Sequence, residues 1–160
     1  SIYRKDTEKV KISEEIKYVE FYLYLQKYRF GERLKYTILY DDNILNYFIP
    51  KLSVQVIVEN AVVHGLEKKA DEGMVIVDFS VEGNDIIINI KDDGKGFANY
   101  NGRLIPPIEF ESNKKGHNCV ALNNTHRIIQ YFYGEKYGIV IDTAKDIGTT
   151  VTVRIPIDRG

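Results

Sequence analysis

The sequence predicts one domain of mixed helix and strand, and three observations support that class. Two strand-like runs, 74–82 and 85–92, flank the two-residue turn Gly83-Asn84. Segments 13–31, 51–65 and 119–133 carry helix signals. The length, 160 residues, suits a single domain with a real core. Lys and Arg number 22 against 23 Asp and Glu, so no net field steers the chain to nucleic acid or anionic lipid. The single Cys119 forms no internal disulfide and excludes metal-thiolate chemistry, and the 160 residues show no signal-peptide pattern or long apolar run.

Residues 1–12 are charged, and Ser13-Glu14-Glu15 then marks a helix start with acids in the first turn. Ile16, Val19 and Leu23 recur at helical spacing, Tyr18, Tyr22 and Leu25 widen the apolar stripe, and Gly31 stops the helix. So many aromatics predict a packing partner, either the domain core or an interhelical interface begun upstream. Residues 33–40 form a strand that Asp41-Asp42-Asn43 breaks. For 51–65 the valines favour a strand, whereas the length, Pro50 at a first turn and Gly65 at the end favour a helix, which is the assignment adopted. On that helix Asn60 and His64 share one otherwise apolar face. A buried Asn is either satisfied by nearby backbone or turns its amide oxygen to a hard cation such as Mg²⁺.

In the central hairpin, setting Glu82 opposite Asp85 pairs Val81 with Ile86, Phe79 with Ile88, Val77 with Ile90 and Val75 with Asp92. Period-two alternation then places Asp92 on the buried face with Ile86, Ile88 and Ile90. A carboxylate buried there without partners costs roughly several kcal/mol, which predicts fixed donors or a ligand. Gly94 and Gly96 follow, compatible with a plain turn or with close approach of a flat group to the backbone. From 97 to 117 no regular element is evident, and a loop of that length predicts a lid. Residues 119–133 form a helix with Leu122, Thr125, Ile129 and Phe132 on one stripe and Gly134 as its stop. Strands 138–143 and 149–155 close the chain, with Thr149 on the face of Val151, Val153 and Ile155. Asp92 and Thr149, alike at strand ends, predict one pocket.

These features coincide in order with a known set. Glu59-Asn60-Ala61 with His64, then Asp92-x-Gly94-x-Gly96, a lid, and Gly148-Thr149-Thr150 resemble the N, G1 and G3 boxes of the Bergerat-fold ATPases, the superfamily of DNA gyrase, MutL and histidine kinases. The resemblance is closer still to the catalytic domain of LytS/YesM-type two-component sensor kinases. Leu23-Tyr24-Leu25-Gln26-Lys27-Tyr28-Arg29-Phe30-Gly31 resembles the end of their second dimerisation helix, and Ile128-Ile129-Gln130-Tyr131-Phe132-Tyr133-Gly134 the helix after their lid.

The resemblance implies a two-layer α/β sandwich, a mixed sheet with helices on one face, that holds Mg-ATP. It implies a division into 1–31, from the dimerisation region, and 32–160, an ATP-binding domain with a lid near 97–118. Asp92 would accept from the adenine amino group, with Thr149 completing that contact through water, and Gly94 and Gly96 would admit the purine. Asn60 would bind Mg²⁺, His64 would lie near the phosphates, and Glu59 would assist. The γ-phosphoryl group would pass to a histidine of the dimerisation region in a homodimer, and a response regulator would act downstream. That acceptor is expected upstream of this chain, because His64, His117 and His126 lack its Asn-Pro-His-Phe-like context. The expected setting is the cytoplasmic part of a membrane-anchored sensor.

Three departures bear on phosphate binding. Val63 stands where the family carries a basic residue. Cys119-Val120-Ala121-Leu122 replaces a Gly-x-Gly-Leu box, leaving Gly116 as a partial substitute, and Asp93 replaces a common Asn. They motivate an alternative, a nucleotide-binding or dimerisation module without catalysis. A gyrase-like ATPase is disfavoured by Val56, which occupies the position of the water-activating Glu.

Overall fold

The computed structural model of the chain describes residues 8–63, 66, 71–97, 100–109 and 119–160. Among them run helices α1 (Ile12–Phe30), α2 (Ser53–Val62) and α3 (Cys119–Tyr133). The strands are β1 (Lys9–Lys11), β2 (Leu34–Leu39), β3 (Phe48–Pro50), β4 (Gly73–Glu82), β5 (Asp85–Asp92), β6 (Gly102–Leu104), β7 (Gly138–Ala144) and β8 (Gly148–Pro156). Six of them form one sheet in the order β2-β4-β5-β8-β7-β6, while β1 and β3 pair separately. β2 runs parallel to β4 and the other pairs are antiparallel, which makes the sheet mixed, as expected.

The β4–β5 register is the one the alternation demands, from Glu82 opposite Asp85 to Val75 opposite Asp92. Val75, Val77, Phe79, Ile86, Ile88 and Ile90 are buried on one face together with Ile139, Ile141, Val151, Val153 and Ile155. Each such side chain contributes about 2 kcal/mol relative to exposure. The helices add their apolar stripes to this same core. The opposite face is polar: Thr152 donates to Asn89 at 2.8 Å, and Arg154 and Tyr137 both donate to Asp85, at 2.9 and 2.8 Å. One dry face and one wet face make the fold a two-layer sandwich.

α1 ends where Gly31 adopts φ 59° and donates its N–H to Lys27. Its buried stripe is Ile12, Glu15, Ile16, Val19 and Leu23. Tyr22 packs partly against the core. Tyr18 and Leu25, expected in the same stripe, instead join Phe21 and Tyr28 on an exposed face. Glu15 is the larger departure. It is not a solvated first-turn acid but fully buried, and its carboxylate accepts the backbone N–H groups of Leu52 (2.9 Å), Val54 (3.0 Å) and Gln55 (3.3 Å) at the start of α2.

α2 is a helix, as its length suggested, but Pro50 does not open it. Pro50 closes β3 opposite Lys9, a strand-end position that tolerates the missing N–H. Leu52, at φ 65°, turns the chain into Ser53. Of the lid expected near 97–118, residues 98–99 and 110–118 lie outside the described residues, and 100–109 contain more order than their composition announces. β6 pairs with β7, Arg103 bonds Asp142 at 2.9 Å, and the Asn123 amide bonds both the N–H and the carbonyl of Ile108.

Burial pushes the Glu15 carboxyl above its ordinary value, outweighing the three amides that pull it down. A carboxyl raised on folding contributes stability that is complete below the unfolded value and lost as pH rises through the folded one. Urea unfolding between roughly pH 4 and pH 8 therefore shows the parent chain losing stability relative to Glu15→Gln as pH rises. The opposite slope would mean that the amides outweigh burial.

Candidate nucleotide-binding site

At one end of the sheet three polar side chains line up across three adjacent strands. Asp92 closes β5, Thr149 faces it on β8, and Thr143 of β7 faces Thr149. All three are buried. The Thr143 and Thr149 hydroxyls lie 2.9 Å apart, and Thr143 Oγ1 accepts the N–H of Phe97 at 2.8 Å. Alternation in the sequence pointed to Asp92 and Thr149, whereas Thr143 was missed. Its signal was present, because Thr143 alternates with Ile139 and Ile141 as Thr149 does with Val151 and Val153.

The segment after β5 folds back on this row. Asp92 Oδ1 accepts the N–H of Gly94 at 2.9 Å, and Asp93 Oδ1 accepts that of Met74 at 2.9 Å, tying the turn to the start of β4. Gly94 is buried beside them. At Gly96, φ is 91°, and a Cβ would stand 2.7 Å from the Ala144 carbonyl oxygen. Its lack of a side chain is thus required by the packing of the turn on the β7–β8 hairpin. Gly148, at φ 147°, has the same constraint against the Asp92 carbonyl oxygen. Phe97 is buried beneath the turn.

α2 packs on β4 and β5 and brings in Asn60, which is 8% exposed. Among the described residues its Nδ2 is the buried side-chain polar atom without a hydrogen-bond partner. Leaving a buried donor unmet costs about 1–3 kcal/mol, so a functional reason is expected. Glu59, one residue earlier, accepts from Gln55 Nε2 at 3.2 Å. His64 and Gly116 lie outside the described residues. His126 is structural: Nδ1 accepts the N–H of Ile139 at 2.9 Å, and burial pushes its pKa down. Cys119 sits buried in the first turn of α3, where burial pushes its thiol up.

Chemically, the row offers a carboxylate, which accepts from several donors at once, beside hydroxyls that can relay a contact through water. That suits an amino-bearing heterocycle. Among the described residues no three His, Cys, Asp or Glu side chains converge to hold a metal ion. A cation at this site would rest on the Asn60 amide oxygen and on oxygens of its ligand, the arrangement Mg²⁺ accepts with phosphates.

The sandwich, the buried carboxylate at a strand end and the Asn-bearing helix together define a class. The profile described as histidine kinase-, DNA gyrase B-, and HSP90-like ATPase matches residues 50–159, and the chain belongs to that family. Within it, the sequence is homologous to sensor histidine kinases. Sensor histidine kinase YpdA of Escherichia coli (strain K12) is 32% identical over 160 residues, covering 99% of this chain and 26% of YpdA. Sensor histidine kinase YesM of Bacillus subtilis (strain 168) is 31% identical over 147 residues, covering 92% of this chain and 24% of YesM. The chain therefore spans about a quarter of the length of these relatives. Among solved structures, the catalytic domain of histidine kinase ThkA superposes with a TM-score of 0.63 at 15% identity, covering 96% of this chain and 99% of that one. This likeness establishes the fold. Among the described residues no helix is long and apolar enough to cross a membrane.

Proposed function

We propose that this chain binds Mg-ATP and transfers its γ-phosphoryl group to a histidine of a dimerisation segment outside the sequence, within a two-component sensor. The observation that carries the reading is the unmet Nδ2 donor of buried Asn60: among the described residues no hydrogen bond through that nitrogen holds the amide in place, and a bound nucleotide with its cation would give both ends of the amide a partner. Asp92 accepts a hydrogen bond from the adenine amino group, Thr149 supports that contact through water, and the chain at Gly94 and Gly96 lies along the purine. His64 and the backbone at Gly116 attend the phosphates, and Glu59 assists beside Asn60. Bound Mg²⁺ supplies charge neutralisation at the transferring phosphoryl group. The remaining task of the protein is positioning, which accounts for a site built on rigid strand ends and a helix. The acceptor segment works in a homodimer, a response regulator takes the phosphoryl group onward, and the whole protein places this domain on the cytoplasmic side of a membrane.

A second reading, a nucleotide-binding module without transfer, is favoured by Val63 and by Cys119, whose side chain is committed to the core. One experiment separates the two. The chain is mixed with a separately produced dimerisation segment and γ-labelled ATP in saturating Mg²⁺. Label on the segment's histidine is the expected result, and its absence with a folded, ATP-bound chain sinks the kinase reading.

A further inference from the structure

We propose that Glu15 is a positioning residue: its carboxylate locks α1 to the N-terminus of α2, so that a displacement of α1 is delivered along α2 to Asn60. The inference rests on the role given to Asn60 above. Three observations support it.

The first is the kind of contact. Apart from Glu15, the buried stripe that α1 presents is apolar, and apolar packing is non-directional. The Glu15 hydrogen bonds, at 2.9, 3.0 and 3.3 Å, are directional and fix α2 against α1 in both rotation and translation. They tie the first helix to the N-terminus of the second through a side chain.

The second is where the cap comes from. A helix N-terminus is ordinarily satisfied by a Ser, Thr, Asp or Asn at its own cap position. Here that position holds Leu52 at φ 65°, with no side-chain cap. Ser53 donates its hydroxyl to the Pro50 carbonyl instead, at 2.7 Å. The role passes to a carboxylate 37 to 40 positions earlier, on another helix, fully buried. Burying that charge is unfavourable, and a local cap would avoid it. The distant cap ties the two helices together as a local one could not.

The third is leverage. Asn60 lies six residues beyond Val54, about 9 Å along an unbroken helix, so a shift at the capped end is carried to the amide. The opposite side of α1 leaves Tyr18, Phe21, Leu25 and Tyr28 exposed, so the helix has a face this domain does not hold.

The test uses the whole chain, labelled with ¹⁵N, with Glu15→Gln, Glu15→Asp and, as a core control remote from the site, Ile86→Val. Two quantities are read: the Asn60 side-chain amide resonances without ligand, and the affinity for a non-hydrolysable ATP analogue with and without Mg²⁺. Glu15→Gln is expected to move the Asn60 resonances and to weaken binding in Mg²⁺ about tenfold, with Mg²⁺-free binding within about twofold. Glu15→Asp, which withdraws the carboxylate by one methylene, moves the same signals by less, and Ile86→Val moves neither. A Glu15→Gln chain with a lowered thermal midpoint but unmoved Asn60 signals and unchanged Mg²⁺ dependence overturns the proposal and leaves Glu15 as a cap. If the parent chain binds no nucleotide, the nucleotide reading fails, and the Asn60 signals alone decide the coupling. Should Glu15→Gln not fold, Glu15→Asp against Ile86→Val gives the same decision.

Discussion

Asp92→Asn is expected to weaken binding of an ATP analogue by about 100-fold and to leave the chain folded. The carboxylate is buried at the end of β5, where its Oδ1 already accepts the Gly94 N–H at 2.9 Å. An Asn oxygen can keep that backbone bond, and removing a buried charge offsets part of the loss, so the thermal midpoint stays within a few degrees, a stability change of about 1 kcal/mol or less. Toward the ligand the exchange is less forgiving. An amide that presents NH₂ where the purine amino group needs an acceptor forfeits a charged hydrogen bond of about 2–3 kcal/mol, or roughly 30- to 150-fold in affinity. The loss is expected to be the same with and without Mg²⁺, because the role proposed for Asp92 is toward the base and not the phosphates. Calorimetric titration of both chains with a non-hydrolysable analogue checks this, and equal affinities would remove Asp92 from the site.

What could be read in the sequence, and what could not, divides along the range of the interactions. The β4–β5 register follows from Gly83-Asn84 and period-two alternation, both local, and these alone place Asp92 on the buried face. Thr149 follows from the same alternation in β8. Thr143, whose alternation in β7 is just as local, was legible and overlooked; the other missed features depend on contacts between distant segments. Glu15 looks like any first-turn acid until α2 is placed against it, 37 to 40 residues on. Pro50 has the φ of a helix start and equally of a strand end, and only pairing with Lys9 decides between them. β6 is three residues long and has no pattern of its own, so it exists because β7 offers an edge. The boxes that carry the family resemblance are visible because they are short and contiguous. The orphaned donor of Asn60 emerges only from its surroundings in the fold.

Gly148→Ala is expected to destabilise the chain by about 3–4 kcal/mol and to weaken nucleotide binding with it. Two effects add. At φ 147° an L side chain is strained whatever the space. A Cβ there also collides with the Asp92 carbonyl oxygen and stands 3.0 Å from Asp93 Cα, both backbone atoms that cannot swing aside as a side chain would. Relief requires β8 to lift from β5 at the position where Thr149 faces Asp92, so the damage falls on the site as well as on the fold. Gly83→Ala separates strain from collision. Gly83 has φ 62° but nothing within 4 Å of its Cβ position, so its substitution costs about 1 kcal/mol through the left-handed backbone alone. It lies at the far end of the β4–β5 hairpin from Asp92 and leaves affinity unchanged. Urea unfolding and analogue titration of the two variants together give the check. Equal stability losses would mean that β8 accommodates the methyl group without moving, and the close approach at Gly148 would then have no bearing on how Thr149 is held against Asp92.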